Sequence, residues 1–216
     1  MRNTPRFWRL NMLIRCSALK LAMTNAKKPN ELSETAKKLI QDEVRAEYFG
    51  VRERISSKPM QKGIECEQAS IDLLNDVEFR LSKPYTKNTE RLSNDWITGE
   101  CDIYDADTRL IRDIKTSWSL STFPLFAIDA SDYEWQMRGY MWLWDCDAAS
   151  VDYCLVDTPE YLIGYEQQEI HIVSHIDPEK RVKSFIYERD FEKEQRIKDR
   201  CEQLQEYYEQ LRSKYL

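Results

Sequence analysis

The stretch Gly99-Glu100-Cys101-Asp102-Ile103-Tyr104-Asp105-Ala106-Asp107-Thr108-Arg109-Leu110-Ile111-Arg112-Asp113-Ile114-Lys115 reads as two strands and the turn between them. Between Asn94 and Tyr104 the side chains alternate. Trp96, Thr98, Glu100 and Asp102 fall on one side, and Ile97, Gly99, Cys101 and Ile103 on the other. Asp105 to Thr108 has turn chemistry, and Arg109 to Lys115 returns as the paired strand. Such a hairpin brings Asp102 near Asp113 and Lys115. Period two puts Asp113 and Lys115 on one face and turns Ile114 away. Two carboxylates and an ammonium then converge at a sheet edge, a donor set that suits Mg2+ or Mn2+, hard cations that keep waters and accept phosphate oxygens. A lone D-x-K is more often a surface ion pair, so its neighbours decide its meaning.

Working outward, the spacing of Ala36, Leu39, Ile40 and Val44 predicts a helix that Ser33 caps and Gly50 ends. A second helix is expected from Lys62 to Asn75 and a third from Tyr133 to Trp144. Further strands are expected at Val151–Val156 and Glu169–Val173. A long helix starts near Arg189; its Ile197, Cys201, Leu204, Tyr208, Leu211 and Tyr215 form a heptad-like seam, fit to lie on the core or against another subunit. Helices and strands intermix with no Pro/Gly/Ser-rich linker, which gives an α/β fold. The expected organisation is a basic segment over residues 1–28 followed by one domain over 29–216.

The chain has 216 residues, of which 42 % are hydrophobic and 32 % charged, enough apolar content for a packed core. The formal charge of −6 disfavours a protein that coats nucleic acid through bulk charge, but not an enzyme with a local basic patch. Arg2, Arg6, Arg9, Arg15, Lys20, Lys27 and Lys28 precede the first acid, Glu31. Arg15 and Lys20 break any secretory apolar core. An organellar leader, a start at Met12, and a basic lip that meets phosphates are the readings left open, the last preferred. No apolar run is long enough to span a bilayer.

Other chemistries lack their signatures. The five glycines form neither GxGxxG nor GxxxxGK[ST], and there is no G-x-S-x-G. Cysteines 16, 66, 101, 146, 154 and 201 include no CxxC pair, so zinc and iron–sulfur sites are disfavoured. Scattered single thiols suit a reducing, intracellular compartment, and small buried thiols are their ordinary use. His171 and His175, four apart on one face of an expected strand, lack a third ligand. Trp135, Trp142 and Trp144 read as core. Trp118, beyond the D-x-K strand, is the better residue to touch DNA.

Two further segments make the pattern specific. Lys62-Gly63-Ile64-Glu65-Cys66-Glu67 places Glu67 on the second helix. Gln136-Met137-Arg138-Gly139-Tyr140 places Gln136 and Tyr140 on one face of the third. The order G-x-x-x-E, G-E-x-D, D-x-K, Q-x-x-x-Y resembles the PD-(D/E)XK nucleases. The branch it resembles is RecB-like, of the lambda-exonuclease (YqaJ) type found in phage recombination. Arg15-Cys16-Ser17-Ala18-Leu19 and Lys27-Lys28-Pro29 fall where that family has its opening segment. Gly-Glu-Cys-Asp replaces the Pro-Asp of the superfamily name; Asp102 is the match and Glu100 its rival.

The resemblance implies a restriction-endonuclease-like core, a central mixed sheet flanked by helices with a long C-terminal helix. It implies a metal held by Asp102, Asp113 and the Ile114 carbonyl, with Glu67 completing the site. Lys115 would orient or deprotonate the attacking water, Gln136 would contact the site, and Tyr140 would buttress it. Arg15, Ser17, Thr116 and Ser117 would hold a terminal 5′-phosphate. The implied activity is Mg2+-dependent exonuclease digestion of double-stranded DNA ends, 5′ to 3′. A ring-shaped homotrimer and a single-strand-annealing protein are the implied partners, in a bacterial or phage-infected cell. The alternatives are a structure-specific endonuclease of the same superfamily and an inactive DNA-binding subunit.

Overall fold

The computed structural model describes residues 12–28, 31–53 and 56–216. The chain enters through a short strand, β1 (Ile14–Arg15), a 3-10 turn (Cys16–Ala18) and a one-turn helix, α1 (Leu19–Ala22). Cys16, Leu19, Ala22 and Met23 are buried, so residues 12–23 are part of the packed body. The cations at Arg2, Arg6 and Arg9, and Pro29, lie outside the described residues.

Helix α2 (Glu34–Phe49) begins and ends where its residues dictate. The Ser33 side chain accepts the Ala36 N–H at 3.0 Å, and Gly50 takes the left-handed conformation at φ 67°. The second helix starts earlier than expected and is broken. Helix α3 spans Lys58–Glu65 and α4 spans Glu67–Val77, with Cys66 non-helical between them at φ −102° and ψ 10°. Ser57 caps α3, with Pro59 in its first turn. That start signal lies ahead of the apolar spacing that pointed to Lys62.

The expected strand over 94–104 is two strands in different sheets. β2 (Leu92–Ser93) and β3 (Ile97–Gly99) join β1 in the order β1-β3-β2, β1 parallel to β3 and β2 antiparallel. β4 (Ile103–Asp105) opens a four-stranded mixed sheet, β4-β5-β6-β7, with β5 at Leu110–Thr116, β6 at Ala148–Cys154 and β7 at Val182–Glu188. β5 runs antiparallel to β4 and parallel to β6. Glu169–Val173, expected as a strand, is a 3-10 turn (Gln168–Ile170) and a loop, because Asp157 accepts the N–H groups of Val173 and Ser174. The strand that pairs with β6 comes later, as β7.

Alternation along β5 and β6 sorts the molecule into layers. Ile111, Ala149 and Val151 face helix α5 (Glu134–Trp144), while Ile114 and Cys154 face α4 through Ile71 and Leu74. After a single turn, α6 (Glu160–Ile163), the chain closes with α7 (Phe191–Tyr215), capped by Asp190. Its seam is used internally: Ile197, Cys201 and Leu204 are buried, Gln41 of α2 donates to the Tyr207 hydroxyl, and the Tyr208 hydroxyl donates to Glu47. All six cysteines are buried free thiols. Among the described residues no helix is long and apolar enough to cross a membrane.

Candidate active site

Between β3 and β4 the residues Glu100–Asp102 belong to neither sheet, and Asn88 holds them in place. Its backbone N–H donates to the Asp102 carbonyl at 2.7 Å and its side-chain amide to the Cys101 carbonyl at 3.0 Å. From there Asp102 Oδ2 accepts the Ile114 N–H at 2.6 Å. Ile103 pairs with Arg112 in the β4–β5 ladder, which sets Asp102 opposite Asp113. N–H and C=O of a strand residue project to one side, so the Ile114 carbonyl also lies toward Asp102.

Asp113 is 2 % exposed. Its Oδ1 accepts the Gln136 amide at 2.8 Å and its Oδ2 pairs with the Lys115 ammonium. The same Gln136 nitrogen donates to the Tyr140 hydroxyl at 3.1 Å, and Lys115 Nζ sits 4.7 Å above the Tyr133 ring. Tyr140 is positioned by close approach. A Cβ on Gly99 would lie 2.7 Å from the Tyr140 ring and 2.8 Å from Cys16 Sγ, and one on Gly139 would lie 2.6 Å from Leu19. Only glycine lets α5 cross β3 and the entry turn at this distance. Glu67, the first residue of α4, pairs with Lys87.

Burial and mutual repulsion shape the charges. Asp102 is pushed up to about 7 by burial and by Asp113, against the opposing pull of Lys115 and the Ile114 N–H. Asp113 is also raised, chiefly by burial. Burial works against the Lys115 ammonium, but the Asp113 carboxylate beside it outweighs that, and the lysine is held above its ordinary value.

The donor set fits a hard divalent cation. The buried Asp113 and half-buried Asp102 carboxyl groups stand opposite each other with the Ile114 carbonyl toward them, oxygen donors whose mutual repulsion Lys115 relieves in part and a cation would relieve further. Among the described residues no three His, Cys, Asp or Glu side chains enclose a metal by themselves, and the Glu67 carboxylate is engaged by Lys87.

The structure brings Asp102, Asp113, Ile114, Lys115, Gln136 and Tyr140 into one connected group. Glu67 is joined to Lys87 instead, and four further predicted residues, Arg15, Ser17, Thr116 and Ser117, stand apart from the group. Arg15 and Ser17 are exposed on either side of buried Cys16, and no hydrogen bond or ion pair joins them to the carboxylates. Arg15 lines a cleft of about 340 Å³ together with Leu39, Glu43 and Arg52. Thr116 turns to the α4 face, its hydroxyl 2.9 Å from that of Ser70. The Ser117 hydroxyl is buried and has no hydrogen-bond partner. Glu100, the rival to Asp102, pairs with Arg91 at 3.0 Å.

Trp118 is half-buried, its indole N–H on Glu166 and its ring edge-on to His171. That packing engages the indole N–H of the residue expected to touch DNA and leaves part of its ring exposed. His171 is fully buried against Thr158 and Glu166, while His175 is exposed, so the two do not share a face. Trp142 stacks on Trp96 with ring centroids 5.4 Å apart, as core packing requires.

Lys62 was not legible as special. It is fully buried and donates to the carbonyls of Ser117, Trp118 and Val156 at 2.8, 3.0 and 2.8 Å. Burial lowers its pKa to about 8. It fastens the segment after the D-x-K strand to the exit of β6. Its acceptors are 55 to 94 residues away in sequence, beyond any local pattern.

A mixed sheet flanked by helices, with carboxylates and a lysine on the inner strand β5 just beyond the point where β4 ends, defines a nuclease core of the PD-(D/E)XK kind. The chain is similar to a phage-related exonuclease from Haemophilus somnus 129PT at 36 % identity. The match covers 94 % of this chain and 96 % of that one, with a TM-score of 0.86. It therefore belongs to the lambda-exonuclease-like (YqaJ-type) PD-(D/E)XK nucleases. An alkaline exonuclease from Laribacter hongkongensis shares the fold at 15 % identity and TM-score 0.65, over 94 % of this chain and 92 % of that one. The same enzyme in complex with dAMP gives 16 % and 0.64, with the same coverage. No protein-family profile matches the sequence, and no curated protein does.

Proposed function

We propose that the protein is a divalent-metal-dependent DNA exonuclease that hydrolyses phosphodiester bonds from double-stranded ends, 5′ to 3′. The observation that carries the reading is the Asp102–Asp113–Lys115 group, with Gln136 bonded to Asp113. The family's exonuclease relative supports the substrate class.

Asp102, Asp113 and the Ile114 carbonyl would hold Mg2+ or Mn2+, with Glu67 completing the site once it leaves Lys87. The bound cation supplies Lewis-acid stabilisation of the phosphoryl oxygens and of the leaving 3′-oxygen. Lys115, kept protonated by Asp113, orients the attacking water and a non-bridging phosphate oxygen through its ammonium donors. Gln136 fixes the orientation of Asp113, and Tyr140 fixes Gln136. The exposed Arg15 and Ser17 are the groups available for a terminal 5′-phosphate; the Ser117 hydroxyl, unpartnered but buried, would reach one only after a local opening, and Thr116 would act only through its backbone, because its hydroxyl is on Ser70.

The reading includes a role in phage-type recombination beside a single-strand-annealing protein, in the cytoplasm of a bacterial or infected cell, which the phage-related exonuclease relative supports. It also includes a homotrimer. Its contact surface would differ from the α7 seam, which is packed on α2; exposed Leu125, Phe126 and Ile128 offer apolar area for it.

The test is cleavage of a linear duplex in Mg2+ by Asp113→Ala and Lys115→Ala. Asp113→Ala is expected to lose both cleavage and calorimetric metal binding while keeping the fold. Lys115→Ala is expected to lose cleavage and keep metal binding. Near wild-type turnover by Asp113→Ala would overturn the assignment.

A further inference from the structure

The segment leading into β2 carries a lysine that the reaction scheme above leaves unused. Asn88 is bonded through its backbone and its side chain to the Cys101–Asp102 turn. The neighbouring residue, Lys87, is thereby tied to the backbone that presents Asp102. Its ammonium pairs with Glu67 and also feels the charges of Asp102 and Glu100. The Lys87 side chain is 45 % exposed and that of Glu67 is 20 % exposed, so the ammonium covers the carboxylate from the solvent side. A partly exposed cation thus stands on the solvent side of Glu67, within the field of Asp102 and Glu100.

We propose that Lys87 is a DNA-phosphate ligand of the active site that rests on Glu67 until a divalent cation takes that carboxylate. The proposal rests on the nuclease reading and adds a residue and a switch to it. An ammonium and a dication compete for the same Glu67 oxygen, and two cations at contact distance repel. Metal entry therefore turns Lys87 away from Glu67. Its backbone stays held through Asn88, and its flexible stem with three rotatable donors keeps the charge beside the site. The chemistry that meets it there is an anionic phosphodiester. Binding is reciprocal: whatever Lys87 costs the metal, the metal returns by freeing Lys87 for DNA.

A plain surface ion pair would look the same in a static structure, and the test separates the two. Mn2+ binding to the full chain is measured by calorimetry without DNA. Binding of a 5′-phosphorylated duplex is measured in Ca2+ across a salt series. Lys87→Ala is expected to bind Mn2+ about two- to fivefold more tightly, since an exposed pair of this kind has a modest coupling. It should bind the duplex more weakly, with a salt slope shallower by about one. Lys87→Arg should restore the slope. Lys83→Ala, which removes the same charge from a pair with Asp107, should leave Mn2+ affinity at the wild-type value. Unchanged or weaker Mn2+ binding by Lys87→Ala, or an unchanged slope, overturns the proposal while wild-type binding of both ligands leaves the nuclease reading standing. Failure of the wild type to bind either ligand removes both.

Discussion

The Gln136 side chain donates to Asp113 across 2.8 Å and, from the same nitrogen, to the Tyr140 hydroxyl at 3.1 Å. One amide thus locks helix α5 to strand β5 and sets the orientation of a buried carboxylate. Gln136→Leu should lower kcat by roughly 10- to 100-fold, the worth of a hydrogen bond to a charged group. Tyr140→Phe keeps the ring contact with Gly99 and drops only the hydroxyl, so its loss should stay below about tenfold. Steady-state cleavage of a linear duplex checks both, and equal losses would contradict the hierarchy.

The glycines of the signature segments differ in what surrounds them. Gly99→Ala drives a methyl into the Tyr140 ring and Cys16, and should cost about 1–3 kcal/mol as overpacking. Gly63 lies inside α3 with nothing within 4 Å of an added Cβ. Gly63→Ala should therefore stabilise the protein by about 0.5–1 kcal/mol. Urea unfolding of the two variants would settle the contrast.

Lys62→Met strands three carbonyls and should cost about 3 kcal/mol. The cost should depend on pH. Lys62 titrates at about 8 in the folded chain, below its ordinary value. Between about pH 8 and 10 the unfolded chain binds the extra proton, so the contribution of Lys62 rises with pH across that window. The stability gap between wild type and Lys62→Met should be wider at pH 9.5 than at pH 7. A gap that narrows would contradict the burial of the ammonium.

The buried Asp113 carboxyl and the half-buried Asp102 carboxyl repel each other and destabilise the chain when no cation is bound. Asp102→Asn keeps an oxygen to accept the Ile114 N–H and removes one charge of the pair. It should raise the melting temperature of the metal-free protein while abolishing cleavage. Mn2+ should raise the melting temperature of the wild type and leave that of the variant unmoved. A destabilised Asp102→Asn would mean that the carboxylates do not strain the fold.

Much of the site was legible because its residues sit on short periodic elements. Asp113 and Lys115 share a face of β5 by period two, and Gln136 and Tyr140 share a face of α5 by the helical repeat. The break at Glu100–Asp102 was not legible. The alternation of Ile97, Gly99, Cys101 and Ile103 runs unbroken through two strands that belong to different sheets, and only Asn88, from outside the pattern, replaces the ladder there. Val182–Glu188 was missed for a related reason. It is an edge strand with Ile186 turned to solvent, so its pattern carries no clean inward face. Lys62 and Lys87 were missed because their partners are remote in sequence.

The central claim, a metal-dependent site that needs a DNA end, is tested most directly by one digestion. A linear duplex with 5′-phosphates and a covalently closed circle of the same sequence are incubated with the protein, in Mg2+ and in EDTA. The account predicts that mononucleotides are released from the linear duplex in Mg2+ only, and that the circle survives. Cleavage of the circle, or digestion of the linear duplex in EDTA, would contradict it.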